Sequence, residues 1–183
     1  MNSIVRVVNK PADKIVPLAT AKNWLRVSGN QDDTLITLLL DGIQSDLWRN
    51  EYYPIRAEVS EFYYGQPAYQ NFSLTARPVQ SVQSLQNRDG KEYPATIIHT
   101  DSNTYLHAIG DLEYNEIDNT EGITDSWAYK VDYTVGYESQ EEVPSDLIIA
   151  ILGELTERYE VKDGSSAWTV GFRKMIANLT TFY

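Results

Sequence analysis

The sequence contains no cysteine, only two histidines and two methionines, and no long apolar run. Without cysteine, disulfide bonds, zinc–thiolate sites and thiol nucleophiles are excluded. No apolar stretch approaches the roughly 18 residues that a membrane-spanning helix needs, and no apolar signal region follows a basic start. We therefore expect synthesis in the cytoplasm and no association with a membrane.

The chain also lacks the short motifs of common catalytic and nucleotide-binding sites. It contains no Gly-x-Ser-x-Gly nucleophile turn, no Gly-x-x-x-x-Gly-Lys phosphate loop and no Gly-x-Gly-x-x-Gly turn. His99 and His107 are the only histidines, and the sequence identifies no carboxylate partner that would make either one a general base or a metal ligand. We therefore predict that the protein is not an enzyme and has no catalytic residue, cofactor or metal site.

Basic residues are scarce in one part of the chain, so the charge is uneven. The formal net charge is −11. Residues 1–100 carry ten basic and ten acidic side chains, whereas residues 101–146 carry twelve acids against Lys130 alone. Arg173 and Lys174 give residues 164–183 a positive charge. Because binding to DNA phosphates requires clustered Lys and Arg, we predict neither sequence-specific nor general binding to duplex DNA.

The acidic stretch 111–125 is dense in carboxylate oxygens, which are the ligands that calcium prefers. It lacks the alternating Asp or Asn ligands, the Gly and the terminal Glu of an EF-hand loop. This favours a solvated acidic loop. A metal-dependent hydrolase that uses the 111–125 stretch stays open as an alternative function.

Helical periodicity predicts two helices near the start of the chain and one near its end. The first begins at Pro17 and ends at Ser28-Gly29-Asn30. The third opens at Pro144-Ser145-Asp146 and ends near Gly164. The second begins at Asp32 or Asp33, and four of its apolar residues define one face: Ile36, Leu40, Ile43 and Leu47.

The second helix carries apolar residues outside that face. Leu35 and Leu39 widen the stripe, and Leu38 lies beyond it. A helix that is apolar on more than one side is typical of an element that contacts both a core and a neighbouring molecule.

Between the helices the sequence has the two-residue period of β-strands. Strands are predicted from Ala57 onward, and a hairpin is predicted to join 79–85 to 93–98 across an Asp89-Gly90 turn. Residues 101–125 are expected to be irregular. The clean alternation from Tyr129 to Val135 predicts the last strand.

These elements predict an α+β fold, in which a small bundle of long helices carries an inserted and mostly antiparallel β-sheet region. We expect one domain over residues 1–183. Its helical part would comprise residues 15–56 and 144–183, and its β-rich insertion residues 57–137.

The terminal segment 165–183 follows a Gly-Ser break and concentrates aromatic and basic side chains. A chain end of this kind is poorly ordered unless it docks, and aromatic residues and Arg are enriched at the centres of protein interfaces. Docking on a partner and packing on the protein's own helices both stay open. The candidate docking residues are Trp168, Phe172, Arg173, Lys174, Phe182 and Tyr183.

Several patches, in the same order along the chain, resemble the phage head-tail connector family related to the HK97 connector. Residues 16–27, with Asp32-Asp33 and the following helix, resemble the start of that family. The run 78–85 before an Asp-Gly turn is similar to its Pro-Val-x-Ser-Val strand. Residues 131–137 and 143–150 resemble its final strand and closing helix. Pro17 departs from the family's usual Thr or Ser helix cap, and the segment 98–125 is long and acidic for the family.

The resemblance implies a structural subunit of the virion neck, at the head-tail interface, made in the host cytoplasm. Identical subunits would form a ring below the portal protein and join it to a stopper or tail-completion protein. The ring would leave a channel for the genome, and the terminal segment would dock on the portal. An acidic protein suits such a channel because DNA must slide through it. A generic adaptor module outside any virus stays open beside the hydrolase alternative.

Overall fold

The computed structural model describes residues 2–9, 11, 13–64, 68–100, 103–113, 127–160 and 172. Short 3-10 helices cover Ala68–Gln70 and Gln140–Glu142. No helix among the described residues is long and apolar enough to cross a membrane. In chain order the main elements are β1 (Asn2–Asn9), α1 (Leu18–Leu25), α2 (Asp33–Arg49), β2 (Ala57–Tyr64), β3 (Asn71–Leu74), β4 (Val79–Asn87), β5 (Ala95–His99), β6 (Thr104–Ala108), β7 (Tyr129–Val135) and α3 (Ser145–Glu160).

The three predicted helices are present. Pro17 caps α1 in an extended conformation, and Arg26 closes that helix with a left-handed backbone, at φ 56°. The predicted face of α2 is buried, whereas Leu38 is 63% exposed. The helices enclose a first core, whose buried members include Ala21 of α1, Ile36, Leu40, Ile43 and Leu47 of α2, and Leu147, Ile151, Leu152 and Leu155 of α3.

The strands form two antiparallel sheets. The four-stranded sheet has the order β1-β2-β7-β4, and the three-stranded sheet has the order β3-β6-β5. Their facing side chains build a second core. Phe72 lies at its centre, with ring centroids 5.1 Å from Tyr63 and 5.4 Å from Tyr129 in edge-to-face arrangements. Such aromatic pairs contribute more to the free energy of folding than their buried area alone would give.

The predicted bundle of long helices is wrong. Two antiparallel sheets dominate the fold, and the three helices have 8, 17 and 16 residues. Part of the error lies at the start of the chain, where the β-branched run in Asn2–Asn9 forms an edge strand that the sequence analysis did not predict. A further part lies in the stretch expected to be irregular, because Thr104–Ala108 forms the central strand of the three-stranded sheet.

The strand pairing predicted for the hairpin is also wrong. The turn at Gly90 forms, and Tyr93 N donates to Leu85 O at 2.9 Å. Pro94 then follows, and proline has no backbone N–H with which to continue the ladder. The chain crosses to the second sheet, where β5 pairs with β6. The partner of β4 is β7, the strand predicted as the last one.

A short seam of backbone contacts joins the helical core to the sheet core. We define the seam as residues 52–56 with 136–137. Arg56 N donates to Tyr137 O at 2.9 Å, and Tyr137 N donates to Pro54 O at 3.1 Å. Gly136 has φ 84°, and a Cβ at this position would lie 2.4 Å from Ile55 O. A residue with a side chain does not fit there without displacing backbone.

Candidate assembly surfaces

One of the six candidate docking residues falls within the described part of the chain. Phe172 is 2% exposed and belongs to the helical core. Its side chain is therefore not part of an open binding surface in this conformation. The other five lie outside the described residues: Trp168, Arg173, Lys174, Phe182 and Tyr183. Docking by this segment stays a prediction.

The two histidines occupy neighbouring strands and bind neutral side chains. His99 Nδ1 lies 3.2 Å from Thr104 Oγ1, and His107 Nδ1 lies 2.8 Å from Asn71 Oδ1. Within the described residues no group of three or more His, Asp or Glu side chains could hold a metal ion. Residues 114–126, which form most of the acidic stretch, lie outside the described part.

An ion network fixes α2 against α3. Arg158 Nε donates to Glu154 Oε1 at 2.9 Å within α3, and Arg158 Nη2 donates to Asp46 Oδ2 of α2 at 2.8 Å. Glu154 is almost fully buried and Arg158 is mostly buried. The network holds the relative position of the two helices, and so of the side chains on their outer faces.

The helices present several large apolar side chains to solvent. Leu35 and Leu38 lie on α2, Ile149 lies on α3, and Trp24 lies on α1. The Trp24 side chain also makes a contact within the protein, because its Nε1 donates to Thr156 Oγ1 at 2.9 Å. The sequence analysis had placed Leu38 beyond the apolar stripe of α2 and had taken Leu35 and Leu39 as widening that stripe; Leu39 packs against the core, whereas Leu35 is exposed. The large apolar side chains that the helices leave exposed among the described residues are thus Trp24, Leu35, Leu38 and Ile149.

A buried carboxylate connects the strands. Glu61 of β2 is 0% exposed and accepts hydrogen bonds from Ser3 Oγ at 2.6 Å and from Tyr133 OH at 2.7 Å. Thr75 donates to it through both its backbone N, at 3.0 Å, and its hydroxyl. Burial, together with the nearby Glu61 charge, raises the pKa of Tyr133 well above its ordinary value. The tyrosine therefore stays a hydrogen-bond donor to the carboxylate.

A second carboxylate lies close to this cluster. Burial raises the pKa of Glu51, the charge of Glu61 raises it further, and Arg77 opposes both effects. Glu51 Oε2 is buried without a hydrogen-bond partner, and the residue has a left-handed backbone at φ 57°. An ionised Glu51 is therefore poorly solvated in the fold.

The face of the four-stranded sheet turned away from the second core is largely polar. Asp132 lies at its centre and accepts from Ser60 at 2.5 Å and from Ser84 at 3.0 Å, with Lys130 Nζ at 2.8 Å. Burial alone would raise the pKa of Asp132, but the bonds from Lys130, Ser60 and Ser84 outweigh it and lower the pKa. This part of the sheet is a closed polar network.

The same face becomes apolar and basic toward β1. Ile4 is 49% exposed and Val8 is 67% exposed, with Arg6 between them on the same side of the strand. The Arg6 guanidinium lies 5.0 Å from the Phe62 ring centroid, and Phe62 lies 5.5 Å from Trp127. The sequence analysis missed this group because β2 brings Phe62 together with residues far away in the chain. The available signal was the β-branched run around Arg6, Ile4-Val5 before it and Val7-Val8 after it.

Known family models and curated proteins give no match to this chain, whereas solved structures do. A chain in the virion of the native gene transfer agent particle is 20% identical with a TM-score of 0.69. A chain in the neck of the empty particle, computed with C6 symmetry, is 18% identical with a TM-score of 0.72. One in the neck of the native particle, computed with C12 symmetry, is 18% identical with a TM-score of 0.64. In each case the match covers 98% of this chain and 96% of the other chain, so the similarity in fold is not confined to one part of either chain.

Proposed function

We propose that this protein is a structural head-tail connector subunit in the neck of a phage-like particle. The observation that carries the proposal is the shared fold over 98% of the chain with proteins of the gene transfer agent particle and its neck. The resemblance of residues 16–27, 78–85 and 131–150 to the connector family supports the same conclusion. The subunits form a ring below the portal and join the head to the stopper or tail.

Cyclic assembly needs two different and complementary flanks on each subunit. The similar chains occur in neck structures computed with C6 and C12 symmetry, which supports a ring whose order is a multiple of six. The exposed Leu35, Leu38 and Ile149 on the helices and the Ile4–Arg6–Val8 group on the sheet provide apolar surface on different elements. These surfaces are our candidates for contacts in the neck.

The terminal segment 165–183 is our candidate for the contact with the portal. The burial of Phe172 supports a specific form of this proposal, in which Phe172 anchors the segment on the helical core. The aromatic and basic residues around it then meet the portal, namely Trp168, Arg173, Lys174, Phe182 and Tyr183. Aromatic and Arg side chains supply binding energy efficiently when they are buried in a partner.

The test is to combine the purified chain with the portal protein of the same particle and to image the product by electron microscopy. We expect a ring of this chain on one end of the portal, with six- or twelvefold symmetry and an open channel. A Trp168→Ala/Phe182→Ala variant should fold normally and lose the association. A Thr100→Ala variant at an exposed loop serves as the control. Failure of the unaltered chain to associate with the portal contradicts the proposal.

A further inference from the structure

The three-stranded sheet has one face on the second core and one face turned away from it. Its residues Phe72, Leu74 and Leu106 are buried in that core. The pairing register brings the intervening residues of the three strands together on the other side. We call this side the neutral face, and its members are Asn71 and Ser73 of β3, Tyr105 and His107 of β6, and Thr96 and Ile98 of β5.

The neutral face differs in charge from the rest of the molecule. The strands β3, β5 and β6 contain no Asp, Glu, Lys or Arg, although the chain has a net charge of −11. Arg77 reaches one end of the face, where its Nη2 donates to Asn103 Oδ1 at 3.1 Å. Natural protein interfaces likewise have few charges at the centre and polar groups at the rim. The composition of the neutral face therefore favours contact with another protein surface.

Large side chains lie at both ends of the neutral face. Ile98 pairs with Tyr105 at one end and is 42% exposed. At the other end, Ile109 follows β6 and is 53% exposed, and its N donates to Pro94 O at 2.7 Å. Tyr69 immediately precedes β3 at the same end and is 89% exposed. The face therefore offers apolar contact area as well as hydrogen-bonding groups.

A second exposed surface without unpaired charge lies on α2. Leu35 and Leu38, which we call the leucine pair, are one turn apart on the same side of the helix. They are 43% and 63% exposed. Residues 34–40 contain no charged side chain, and the next acid, Asp41, forms an ion pair with Lys14. The leucine pair can therefore be covered by another molecule without burying an unpaired charge.

We propose that the leucine pair of one subunit packs on the neutral face of the next subunit around the ring. The inference rests on the proposed neck function and names a contact between identical copies. Packing of a helix on a sheet is one of the layer arrangements by which proteins bury apolar surface. The similar chains occur in neck structures computed with C6 and C12 symmetry, and a contact between two different surfaces of identical subunits can close such a ring.

The charge and the symmetry both favour this pairing of surfaces. Two molecules that each carry a net charge of −11 repel one another, and the repulsion is least where neither surface contributes an acid. Two neutral faces packed on each other, or two leucine pairs, would make a twofold contact that closes a dimer. Pairing one surface with the other leaves one of each free at the ends, so further copies can add.

Introduced cysteines test the contact directly, because the unaltered chain contains none. Leu38→Cys and Ile98→Cys each keep a small apolar side chain on one of the two surfaces. Rings are assembled on the portal from equal amounts of the two variants and are treated with a flexible bismaleimide crosslinker. We expect crosslinked dimers from the mixture on a denaturing gel. Rings that contain either variant alone should give monomers.

Two further variants control for the register of the contact and for chance encounters. Tyr69→Cys replaces Ile98→Cys at the other end of the neutral face, so that the result does not depend on one position. Arg88→Cys lies at an exposed turn outside both surfaces and should give monomers with Leu38→Cys. Absence of dimers with both neutral-face variants overturns the inference. Dimers from rings of a single variant also overturn it, because they indicate a twofold contact.

The contact and the proposed function can fail separately. Rings on the portal that give no such dimers remove the contact and leave the connector function. If no ring forms on the portal, the same crosslinking is carried out on the concentrated chain in solution. Dimers from the mixture alone then support the contact without the connector function, and their absence overturns the contact as well.

Discussion

At the scale of single residues, Glu61 is fully buried and needs hydrogen-bond donors around its carboxylate. A buried carboxylate is tolerated only when donors satisfy it, and Ser3, Thr75 and Tyr133 do so here. Glu61→Ala leaves these donors unsatisfied, and we expect a loss of about 3 kcal/mol in the free energy of unfolding. Denaturant unfolding of the variant and the unaltered chain measures this difference in free energy.

The neighbouring position Glu58 on the same strand provides the control, because it is exposed. Glu58→Ala should change the free energy of unfolding by less than about 0.5 kcal/mol. Equal effects of the two substitutions would mean that the Glu61 cluster contributes little to the sheet.

Substitution of Glu51 should have the opposite effect on stability from substitution of Glu61. Because its pKa is raised in the fold, the folded state binds this proton more readily than the unfolded state, and stability falls as the pH rises through the shifted pKa. We expect Glu51→Gln to unfold at a higher temperature than the unaltered chain at pH 7. The difference should shrink as the pH falls toward 4, where Glu51 is protonated in both states.

Calorimetry at pH 4 and pH 7 checks the Glu51 prediction. Glu58→Gln is the matched control on an exposed carboxylate. A lower unfolding temperature for Glu51→Gln at pH 7 would show that the attraction between Glu51 and Arg77 outweighs the burial of the charge.

At the scale of elements, the α2–α3 contact provides a paired comparison, because Arg158 and Arg49 both bind Asp46. Arg158 also neutralises the buried Glu154, whereas Arg49 is largely exposed. We expect Arg158→Met to cost about 3 kcal/mol, since it leaves a buried charge uncompensated. Arg49→Met should cost less than about 0.5 kcal/mol. Thermal and denaturant unfolding of the two variants distinguishes them, and similar losses would contradict the role of Glu154.

Local periodicity predicted the elements whose burial is one-sided. The stripe from Ile36 to Leu47 indicated α2, and the alternation from Tyr129 to Val135 indicated β7. The strand β1 was missed because its β-branched run does not alternate cleanly with polar residues. The strands β3 and β6 were missed because they are short, and they pair residues that are far apart in the sequence, such as Asn71 with His107.

The candidate surfaces were predictable only in part. Leu38 could be found because it falls outside the apolar stripe of its own helix, whereas Leu35 was predicted to widen that stripe and is exposed. The buried Glu61 could not, because an acid in an alternating strand is ordinarily assigned to the solvent face. Its donors Ser3, Thr75 and Tyr133 come from three other parts of the chain.

At the scale of the whole molecule, the charge governs contact with nucleic acid. With a net charge of −11, the protein has no excess of cations with which to displace the counterions of DNA. We expect no shift of a duplex DNA fragment by micromolar protein at about 150 mM salt in a gel assay, a salt range in which non-specific binders commonly still associate. Submicromolar binding that weakens steeply with added salt would contradict this account of the surface.

The seam at Gly136 has a mechanical consequence. Hydrogen bonds of 2.9 and 3.1 Å tie residues 54–56 to Tyr137, and the close approach of Gly136 to Ile55 leaves no space between the two backbones. The seam therefore leaves the two backbones little room to move relative to each other. We therefore expect the helical core and the sheet core to move together as one body and not to hinge at this seam.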